Sequence, residues 1–331
     1  MKSSCLAVLR KEAEQLRCWL IENDLLRTNL IIQRDNQFVY FPVNEEVNID
    51  NAPLMEKEFK LKKKQLKWQE VLDDILPSNT SLSSFDIIGD IAIIRVPPKL
   101  IEYQQHIAEA ILVTHHNINV VCNDFGITDD YRIRQLKIIG GECRTETVHI
   151  EHGVSIELDI AQVYFSPRLA AERKRIADQL LPGETAIDMF AGVAPFSLVI
   201  SALARPLHIT AIELNPVAAR YARRNAQRNG FYECINIIEG DAGRVVPKLE
   251  PVDHVIMNLP HSADKYFVQA IRQGRIIHYY DILPETKVAD RLDWLCRQAT
   301  LIGKQAVIRG WRTIGTYSPS KIKLAVDISI Q

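Results

Sequence analysis

The stretch "ETAIDMFAGVAPFSLVI", residues 184–200, decides the fold of this chain. Its first half is an apolar run typical of a buried strand, residues 191–194 form a turn of small side chains, and Pro195 opens a helical run. A buried strand that passes through such a turn into a helix is typical of the first unit of a doubly wound sheet, where ligands bind at the turn. The stretch therefore predicts a ligand site within residues 188–195.

Strands and helices alternate from residue 167 to the end of the chain. Strand-like runs occur at 185–190, 208–214, 235–241, 254–260 and 275–282, with helical runs between them. This alternation predicts an α/β fold in which a Rossmann-like domain over residues 167–331 has a mostly parallel sheet. The final runs, 304–314 and 321–330, are expected to form an antiparallel edge.

Two smaller modules precede this domain. Residues 1–75 join a helical pattern through Leu6, Leu9, Leu16 and Leu20 to strand-like runs and a lysine-rich linker, which predicts a small α+β module. Residues 84–166 begin with an apolar run, 85–97, that predicts one continuous strand. A helix and several period-two runs follow, so this middle domain is expected to be α+β with an antiparallel sheet. A hinge is expected near residues 76–84.

Composition excludes several classes of protein. The net charge is −1, so a nucleic-acid partner would need local basic surfaces. No apolar run approaches the roughly 18 residues of a membrane-spanning helix, so we expect no membrane partner and a cytoplasmic location. The six cysteines form no CxxC pair, which argues against a metal site and a disulfide framework. We infer no obligate protein partner and expect a monomer.

Acidic residues follow successive strands of the predicted sheet. The turn offers Asp188, Phe190, Val193 and a single glycine, Gly192, which is too few for a GxGxxG pyrophosphate cradle. Glu213 ends the next strand, where a carboxylate can accept both hydroxyls of a ribose. Since carboxyl ends of parallel strands share one edge, these residues favour a phosphate-free nucleoside. The predicted cofactor is S-adenosylmethionine.

The third and fourth strands add further candidates. Asp241 follows the third strand and can accept a hydrogen bond from an adenine amino group, although a helix-capping role is equally compatible with its position. Asn258 and Pro260 end the fourth strand in "VIMNLP", where substrate is expected to meet cofactor. A neutral amide there can bind the edge of a base, and the proline stiffens the turn.

Several motifs resemble the archaeal and eukaryotic family of tRNA (guanine-37 N1)-methyltransferases. They are "DMFAGVAPFS", "AIELNP", "MNLP" with "HSADKYF", "HYYD", and upstream "FDIIGDIAIIRVP", "YRIRQLKIIGGE" and "VYFSPRLAAERKRIA". The resemblance is strong over residues 85–281 and weaker in the N-terminal module. The family pattern has glycine where this chain has Ala194, and alanine is strained there if the backbone needs a positive φ.

The resemblance implies a mechanism for methylating guanine N1. Glu172 would be the general base, and Arg132 would stabilise the developing charge on O6, with Arg134 as the weaker candidate because the two are i, i+2 on one strand. Asn258 would position the guanine edge. Tyr164 would pack near the methionine end of the cofactor, and Arg168 is a further candidate cofactor contact. Without the resemblance, Glu172 would be predicted to be a helix carboxylate paired with Arg168 or Arg175.

The resemblance also implies tRNA as the partner, with the N-terminal module meeting its outer corner. Three basic groups are candidates for RNA contact: the lysine run 57–67, the cluster Arg168, Arg173, Lys174 and Arg175, and the helix with Arg220, Arg223, Arg224 and Arg228.

Two other functions compete with this prediction. An enzyme of the wyosine pathway on the same scaffold would transfer the aminocarboxypropyl group of S-adenosylmethionine to a tricyclic precursor in tRNA, or methylate that precursor. The "NLP" motif and Glu172 favour methyl transfer to guanine instead. A catalytically silent tRNA-binding protein is disfavoured because Glu172, Arg132, Asn258, Glu213 and the cofactor turn are all retained.

Overall fold

The chain forms two compact units, Met1–Lys67 and Trp68–Gln331, in a computed structural model. The structure describes residues 1–45, 47–62, 67–72, 75–77, 80, 82, 84–128 and 132–331. Lys63 and Lys64 of the predicted lysine run, and four positions of the predicted hinge, therefore lie outside the described residues.

The first unit is an antiparallel sheet covered by one helix. The sheet has the order β2-β3-β1-β4. Its elements are β1 (Lys2–Leu9), α1 (Ala13–Glu22), β2 (Gln33–Arg34), β3 (Phe38–Pro42) and β4 (Leu54–Glu58). The predicted α+β class is observed, but the helical pattern expected from Leu6 is wrong because residues 2–9 pair with β3 on one side and β4 on the other. Leu6, Leu16 and Leu20 nevertheless share one core.

The second unit opens with a hairpin where one strand was predicted. β5 (Asp86–Ile88) and β6 (Ile91–Ile94) are antiparallel, and the chain reverses at Gly89. Gly89 has φ +57°, and an added Cβ would lie 2.1 Å from the Thr147 hydroxyl oxygen. Glycine therefore permits a reversal that the continuous apolar pattern hides.

The rest of the middle region contains a mixed sheet and a separate hairpin. After α2 (Gln104–Thr114), β7 (Val120–Thr128) runs parallel to β6 and β8 (Ile133–Gly141) runs antiparallel to β7. β9 (Glu146–Glu151) and β10 (Val154–Asp159) form the hairpin. The antiparallel sheet predicted for the period-two runs is observed as antiparallel pairs, but these runs divide between two sheets, with β8 in the mixed sheet and β9 and β10 in the hairpin. The β6–β7 pair is parallel because α2 provides a crossover long enough for parallel pairing.

Residues 167–331 form the predicted doubly wound domain. Its seven-stranded sheet has the order β13-β12-β11-β14-β15-β17-β16, parallel up to β15 and antiparallel at the β17–β16 edge. Its elements are α3 (Ala170–Ala177), β11 (Thr185–Asp188), α4 (Pro195–Ala204), β12 (His208–Glu213), α5 (Pro216–Arg228), β13 (Ile235–Glu239), α6 (Ala242–Val245), β14 (Val252–Met257), α7 (Phe267–Gln273), β15 (Gly274–Leu283), α8 (Val288–Leu301), β16 (Ala306–Ser318) and β17 (Lys321–Ile330).

Short 3₁₀ helices complete the described secondary structure. They lie at Glu70–Leu72, Pro98–Tyr103, Pro167–Leu169, Val246–Lys248, Ala263–Tyr266 and Glu285–Lys287. Within the part of the chain that the structure describes, no helix is both long and apolar enough to cross a bilayer.

The division between the units lies at residues 67/68, outside the hinge expected at 76–84. Trp68 and Leu72 are buried in the same apolar cluster as Ile94 and Leu100 of the second unit. Burial of two large side chains holds residues 68–72 with the middle region, so the first unit ends before them.

Candidate active site

The turn after β11 has the backbone that its sequence predicts. Gly192 has φ +58° and Ala194 has φ +66°, and Pro195 is the first residue of α4. The condition under which alanine would be strained at position 194 is therefore met. A left-handed alanine costs about 1–2 kcal/mol, which the surrounding core must offset, since Ala194 is fully buried.

Two acidic side chains lie at this turn. Glu213, at the end of β12, accepts hydrogen bonds from the backbone N–H of Gly192 (2.6 Å) and of Asn215 (2.7 Å). Asp188, at the end of β11, accepts one from the Ser197 hydroxyl (2.9 Å). Its second oxygen, Oδ1, is buried and has no hydrogen-bond partner among the described residues. Glu213 thus holds the turn in shape, while Asp188 retains an unused acceptor.

Burial makes both carboxyls weaker acids. It raises the pKa of Asp188 to about 7, and the charge of Glu213 contributes to that rise. Burial also raises the pKa of Glu213 above its ordinary value. Two partly desolvated acids at one turn favour a cationic ligand, because a nearby positive charge would stabilise their ionised forms.

A narrow pocket of about 130 Å³ opens beside the turn. Six of the predicted cofactor contacts line it: Tyr164, Phe190, Gly192, Glu213, Asp241 and Asn258. Phe190 and Tyr266 meet edge to face with ring centroids 5.1 Å apart, which suits a flat aromatic ligand. Asp241 caps α6 by accepting from the Gly243 N–H at 2.8 Å, so the capping role is real. Its Oδ2 lies 3.9 Å from Arg244 Nε, beyond hydrogen-bond distance, and can still accept from a ligand. We name this space the cofactor pocket.

Four predicted contacts do not line the cofactor pocket: Asp188, Val193, Arg168 and Pro260. Val193 is fully buried in the apolar core, and Arg168 instead pairs with Asp86 at 2.8 Å. Lining residues that the sequence did not single out include Leu214, Asn215 and Tyr266. Tyr266 belongs to the quoted segment "HSADKYF", whose position after the fourth strand could have indicated it.

A larger cavity of about 920 Å³ adjoins the cofactor pocket, and we name it the substrate cavity. The two spaces share three lining residues: Arg132, Tyr164 and Asn258. Pro260 lines only the substrate cavity. Its walls carry five cationic and three acidic side chains: Arg95, Arg132, Arg134, Arg168, Lys323, Asp86, Asp124 and Asp281. Burial and the neighbouring arginines lower the pKa of Lys323, as expected in a cationic environment.

The structure separates the two candidate arginines, which were wrongly expected on one strand face. Arg132 precedes β8 with φ +60°, and its guanidinium lies 4.7 Å from the centroid of the Tyr164 ring. Arg134 lies within β8 and is paired with Asp124 (2.9 Å) and Asp86 (3.7 Å). Only Arg132 lines both spaces, so it is the better placed donor for a substrate at their junction.

Glu172 is buried in α3, with only 6% of its surface exposed. Arg175 donates to both carboxylate oxygens at 2.9 and 2.6 Å, and the Tyr280 hydroxyl donates to Oε1 at 2.8 Å. Glu172 does not line the substrate cavity as formed by the described residues, whereas Tyr280 does. The pairing with Arg175 agrees with the helix-pair prediction, but the carboxylate is not solvated. Tyr280, which no sequence pattern linked to Glu172, joins the carboxylate to the cavity wall.

Most of the predicted basic surface is engaged in ion pairs. In the cluster around Glu172, Arg173 is buried against Glu151 and Lys174 pairs with Asp178 at 2.6 Å. On α5, Arg224 and Arg228 both pair with Glu157. These arginines lie between structural elements and do not form a continuous phosphate-binding stripe. In the N-terminal unit, the Lys57 ammonium lies 3.3 Å from the Tyr40 ring centroid.

A metal centre finds no support in the geometry. Among the residues that the structure describes, no three His, Cys, Asp or Glu side chains are grouped so as to hold an ion.

Family profiles match three consecutive parts of the chain. Residues 147–301 match the TRM5/TYW2 methyltransferase domain, residues 68–145 the TYW2 N-terminal domain, and residues 5–51 the tRNA methyltransferase 5 N-terminal domain. The boundary at residue 68 coincides with the division between the two compact units.

Two curated relatives are similar in sequence. The tRNA (guanine(37)-N(1))-methyltransferase Trm5b of Pyrococcus abyssi is 34% identical over 97% of each chain. The tRNA 4-demethylwyosine(37)-methyltransferase Taw21 of Saccharolobus solfataricus is 34% identical over 73% of this chain and 92% of its own.

Two solved structures share the fold over 99% of both chains. Methanocaldococcus jannaschii Trm5 in complex with adenosine is 30% identical with a TM-score of 0.67. The complex of aTrm5 with tRNALeu contains a chain that is 29% identical with a TM-score of 0.70. With its three profile matches and a full-length relative at 34% identity, the chain belongs to the tRNA (guanine(37)-N(1))-methyltransferase family.

Proposed function

We propose that this protein transfers a methyl group from S-adenosylmethionine to N1 of guanosine 37 in tRNA. The observation that carries the proposal is the junction of the two spaces, where Arg132, Tyr164 and Asn258 line both the cofactor pocket and the substrate cavity. A group transfer needs donor and acceptor atoms to meet at one point, and this junction provides it. The relative Trm5b of Pyrococcus abyssi is named for the same reaction.

The cofactor pocket suits S-adenosylmethionine. Glu213 accepts the ribose hydroxyls, the Asp241 Oδ2 accepts from the adenine amino group, and the contacting rings of Phe190 and Tyr266 form an apolar wall for the base. Asp188 does not line the pocket, but its negative charge beside Glu213 at the same turn favours a positively charged ligand. When bound, the cofactor supplies an electrophilic methyl group.

The substrate cavity orients the guanine. Arg132 donates to O6 as negative charge develops there, and Asn258 binds the base edge beside the methyl donor. Glu172 takes the proton from N1. Its Oε1 already accepts from the Tyr280 hydroxyl, so the N1–H of a bound guanine would replace that hydroxyl as the donor.

The size and charge of the substrate cavity suit a single extruded nucleotide. Enzymes that modify a base take it out of its stack, and Arg95, Arg168 and Lys323 are placed to receive the backbone phosphates. The N-terminal unit, with Lys57, Lys60 and Lys62, is proposed as a second tRNA contact.

A wyosine-pathway activity is the second candidate. It is favoured by the match of residues 68–145 to the TYW2 N-terminal domain and by the identity to Taw21. Transfer of the aminocarboxypropyl group uses a different carbon of the same sulfonium, so the orientation of the cofactor decides between the reactions.

The product distinguishes these functions. Unmodified tRNA with guanosine 37 is incubated with protein and S-adenosylmethionine, digested, and analysed by mass spectrometry of its nucleosides. We expect 1-methylguanosine, and none with a matched tRNA that carries adenosine 37. A parallel reaction offers tRNA that already carries the tricyclic precursor at position 37. Transfer of an aminocarboxypropyl or methyl group to that precursor without 1-methylguanosine from the first tRNA, or no product from either tRNA, would overturn the proposal.

A further inference from the structure

A string of buried side chains leads from Glu172 into the interior of the sheet. Arg175, which holds both oxygens of Glu172, also donates through Nη1 to Asp327 Oδ2 at 2.6 Å. The other oxygen of Asp327 lies 2.8 Å from His278 Nδ1. The three acidic and basic groups come from α3, β17 and β15, which pack against one another around this point.

The string continues through a second histidine. His278 Nε2 lies 3.0 Å from His254 Nδ1, and His254 Nε2 lies 3.1 Å from Glu184 Oε2. The two imidazoles are stacked within 9° of parallel, and both are fully buried on adjacent strands, β14 and β15. Glu184 in turn meets the exposed Arg275 at 3.0 Å. The string thus joins Glu172 to the protein surface.

Such an arrangement is costly unless it has a use. Burying polar and charged groups requires desolvation, and apolar side chains of similar size would pack at these positions without that cost. Neighbouring positions on the same strands hold the fully buried apolar residues Val255, Ile256 and Ile277, while Asp253 precedes His254 and favours its charged form.

The protonation of the two histidines decides whether every contact in this string is a hydrogen bond. The three contacts Asp327–His278, His278–His254 and His254–Glu184 each need one proton to be a hydrogen bond. Two neutral imidazoles bring two. Burial lowers the pKa of both histidines, and for His254 the charge of His278 adds to that effect. The pair therefore takes up its third proton only in acid, and a single shared positive charge then completes all three contacts.

Asp327 transmits that charge to Glu172. Besides Arg175 and His278, the carboxylate is faced by Arg312 of β16 (3.1 Å) and by the amide of Gln179, in the turn after α3 (3.3 Å). Glu172 is faced by Arg175 and Tyr280. The ionised Asp327 offsets part of the positive charge that Arg175 places on Glu172. Any change that weakens this offset makes Glu172 a weaker base, and any change that strengthens it makes Glu172 a stronger one.

We propose that Asp327 and His278 are positioning residues for the candidate base: Asp327 holds Arg175 against Glu172, and His278, backed by His254, sets how much of the Asp327 charge remains to balance Arg175. This inference rests on the proposed role of Glu172.

The coupling is tested first without measuring activity. Coupling between two sites is reciprocal, so removing the charge of Glu172 must change the titration of the histidine pair. In the full-length protein, NMR of the imidazole nitrogens of His254 and His278 is followed across pH for the parent and for Glu172→Gln. We expect the midpoint to fall by about half a unit in the variant, the size of an interaction across several ångströms of partly polar interior. An unchanged midpoint would overturn the inference.

Single-turnover methylation across pH tests the direction. Asp327→Asn removes the offsetting charge, so the rising limb of the rate should move to lower pH and the plateau should fall by about tenfold. His278→Leu removes a donor from Asp327 and leaves more of its charge for Arg175, so the limb should move to higher pH. Opposite shifts cannot come from a purely structural loss, which would lower the rate without moving the limb.

A matched control separates lost stability from lost positioning. Asp90→Asn breaks a comparable carboxylate network with Arg144 and Thr147 that has no contact with Glu172. We expect it to lower the melting temperature and to leave the limb in place. If the rising limb of the rate stays at the same pH in both Asp327→Asn and His278→Leu, the inference fails. The NMR titration of the histidines uses only the parent and Glu172→Gln, so it does not depend on whether Asp327→Asn or His278→Leu folds.

The outcomes also separate this inference from the proposed function. If the parent does not methylate tRNA, the proposed function fails. If the parent has a rising limb that Glu172→Gln retains, the role of Glu172 fails. If Glu172→Gln abolishes the limb while Asp327→Asn and His278→Leu leave it unmoved, only the positioning role fails.

Discussion

At the scale of single residues, the candidate site depends on which charged groups are already satisfied. Arg134 is paired with two carboxylates, whereas Arg132 rests on an aromatic ring and faces both spaces. Glu172 is held by Arg175 and Tyr280, and Asp188 keeps one buried oxygen without a partner among the described residues. Arg132 and Asp188 therefore keep capacity for further interactions, whereas Glu172 acts as a base only when the guanine N1–H replaces the Tyr280 hydroxyl.

Replacing Glu172 by glutamine should slow single-turnover methylation by about 10²–10⁴-fold, the usual contribution of a positioned base. Glutamine keeps the shape of the side chain but removes its basicity, so binding of tRNA and of cofactor should hardly change. The control is Glu146→Gln, because Glu146 also accepts a hydrogen bond from a tyrosine hydroxyl (Tyr221, 2.7 Å) but lines neither space. Methylation by Glu172→Gln at the parent rate would show that the base lies elsewhere.

Replacing Glu213 by alanine should weaken S-adenosylmethionine binding by roughly 1.5–3 kcal/mol, the worth of hydrogen bonds to a charged group. Isothermal titration calorimetry measures this change. Because Glu213 also holds the Gly192 N–H, Glu213→Gln is measured beside it to retain an acceptor for the turn. Unchanged affinity in both variants would remove Glu213 from the site.

Cofactor affinity should rise as pH increases through about 7, where Asp188 ionises in the free protein. The sign follows from linkage: the folded-state pKa is raised, so the ionised carboxylate destabilises the empty fold, and a cationic ligand beside it relieves that cost. Calorimetry at several pH values should show the rise. In Asp188→Asn, only the titration of the ligand itself should remain, and an identical profile in both proteins would contradict this role.

At the scale of elements, the β11–α4 turn carries a backbone cost that the family pattern avoids. Ala194 adopts φ +66° at the start of α4, with its methyl group packed in the core. The turn tolerates alanine because the rest of the element is held by Pro195, by the Ser197–Asp188 hydrogen bond and by the Glu213–Gly192 hydrogen bond.

Ala194→Gly should therefore change the free energy of unfolding by no more than about 1 kcal/mol, since relief of strain is offset by the greater freedom of glycine in the unfolded chain. Ala194→Val should destabilise by more than that, because a β-branched residue is poorly accommodated at positive φ. Urea unfolding of both variants, with Ala202→Gly in the last turn of α4 as a helix control, measures the difference. Equal stability of the Gly and Val variants would refute the strained turn.

At the scale of the whole molecule, the two compact units divide the proposed work. The unit Trp68–Gln331 contains the cofactor pocket and the substrate cavity, and the unit Met1–Lys67 contains neither. Binding and chemistry on a bare nucleotide therefore need only the larger unit, whereas affinity for the folded tRNA is proposed to need both.

A chain that begins at Trp68 should fold, bind S-adenosylmethionine like the full protein, and lose affinity for tRNA. A chain that begins at residue 84 lacks Trp68 and Leu72, whose burial stabilises by about 1.5–3 kcal/mol each, so its melting temperature should be lower. Differential scanning calorimetry and filter binding compare the two with the full chain. Equal stability of the two shortened chains would contradict the boundary at residue 68.

The sequence by itself determined the doubly wound sheet and the edge on which the site lies. Strand and helix periodicities are local properties, and carboxyl ends of parallel strands converge whatever the packing, so Gly192, Glu213, Asp241 and Asn258 could be placed in advance. The resemblance added Glu172, Arg132 and Tyr164. Only the tertiary structure decided which partners these groups have. Tyr280 and Asp327 lie 108 residues from Glu172 and 152 from Arg175, respectively, and no local pattern specifies such pairings.

The same reason explains the errors in the predicted fold. Residues 2–9 became a strand because β3 and β4 pair with them, and the apolar run 85–97 became a hairpin because Gly89 adopts a left-handed backbone against Thr147. Pairing across a sheet and contact between distant segments override local preference, since their energy depends on neighbours that a window of sequence does not contain.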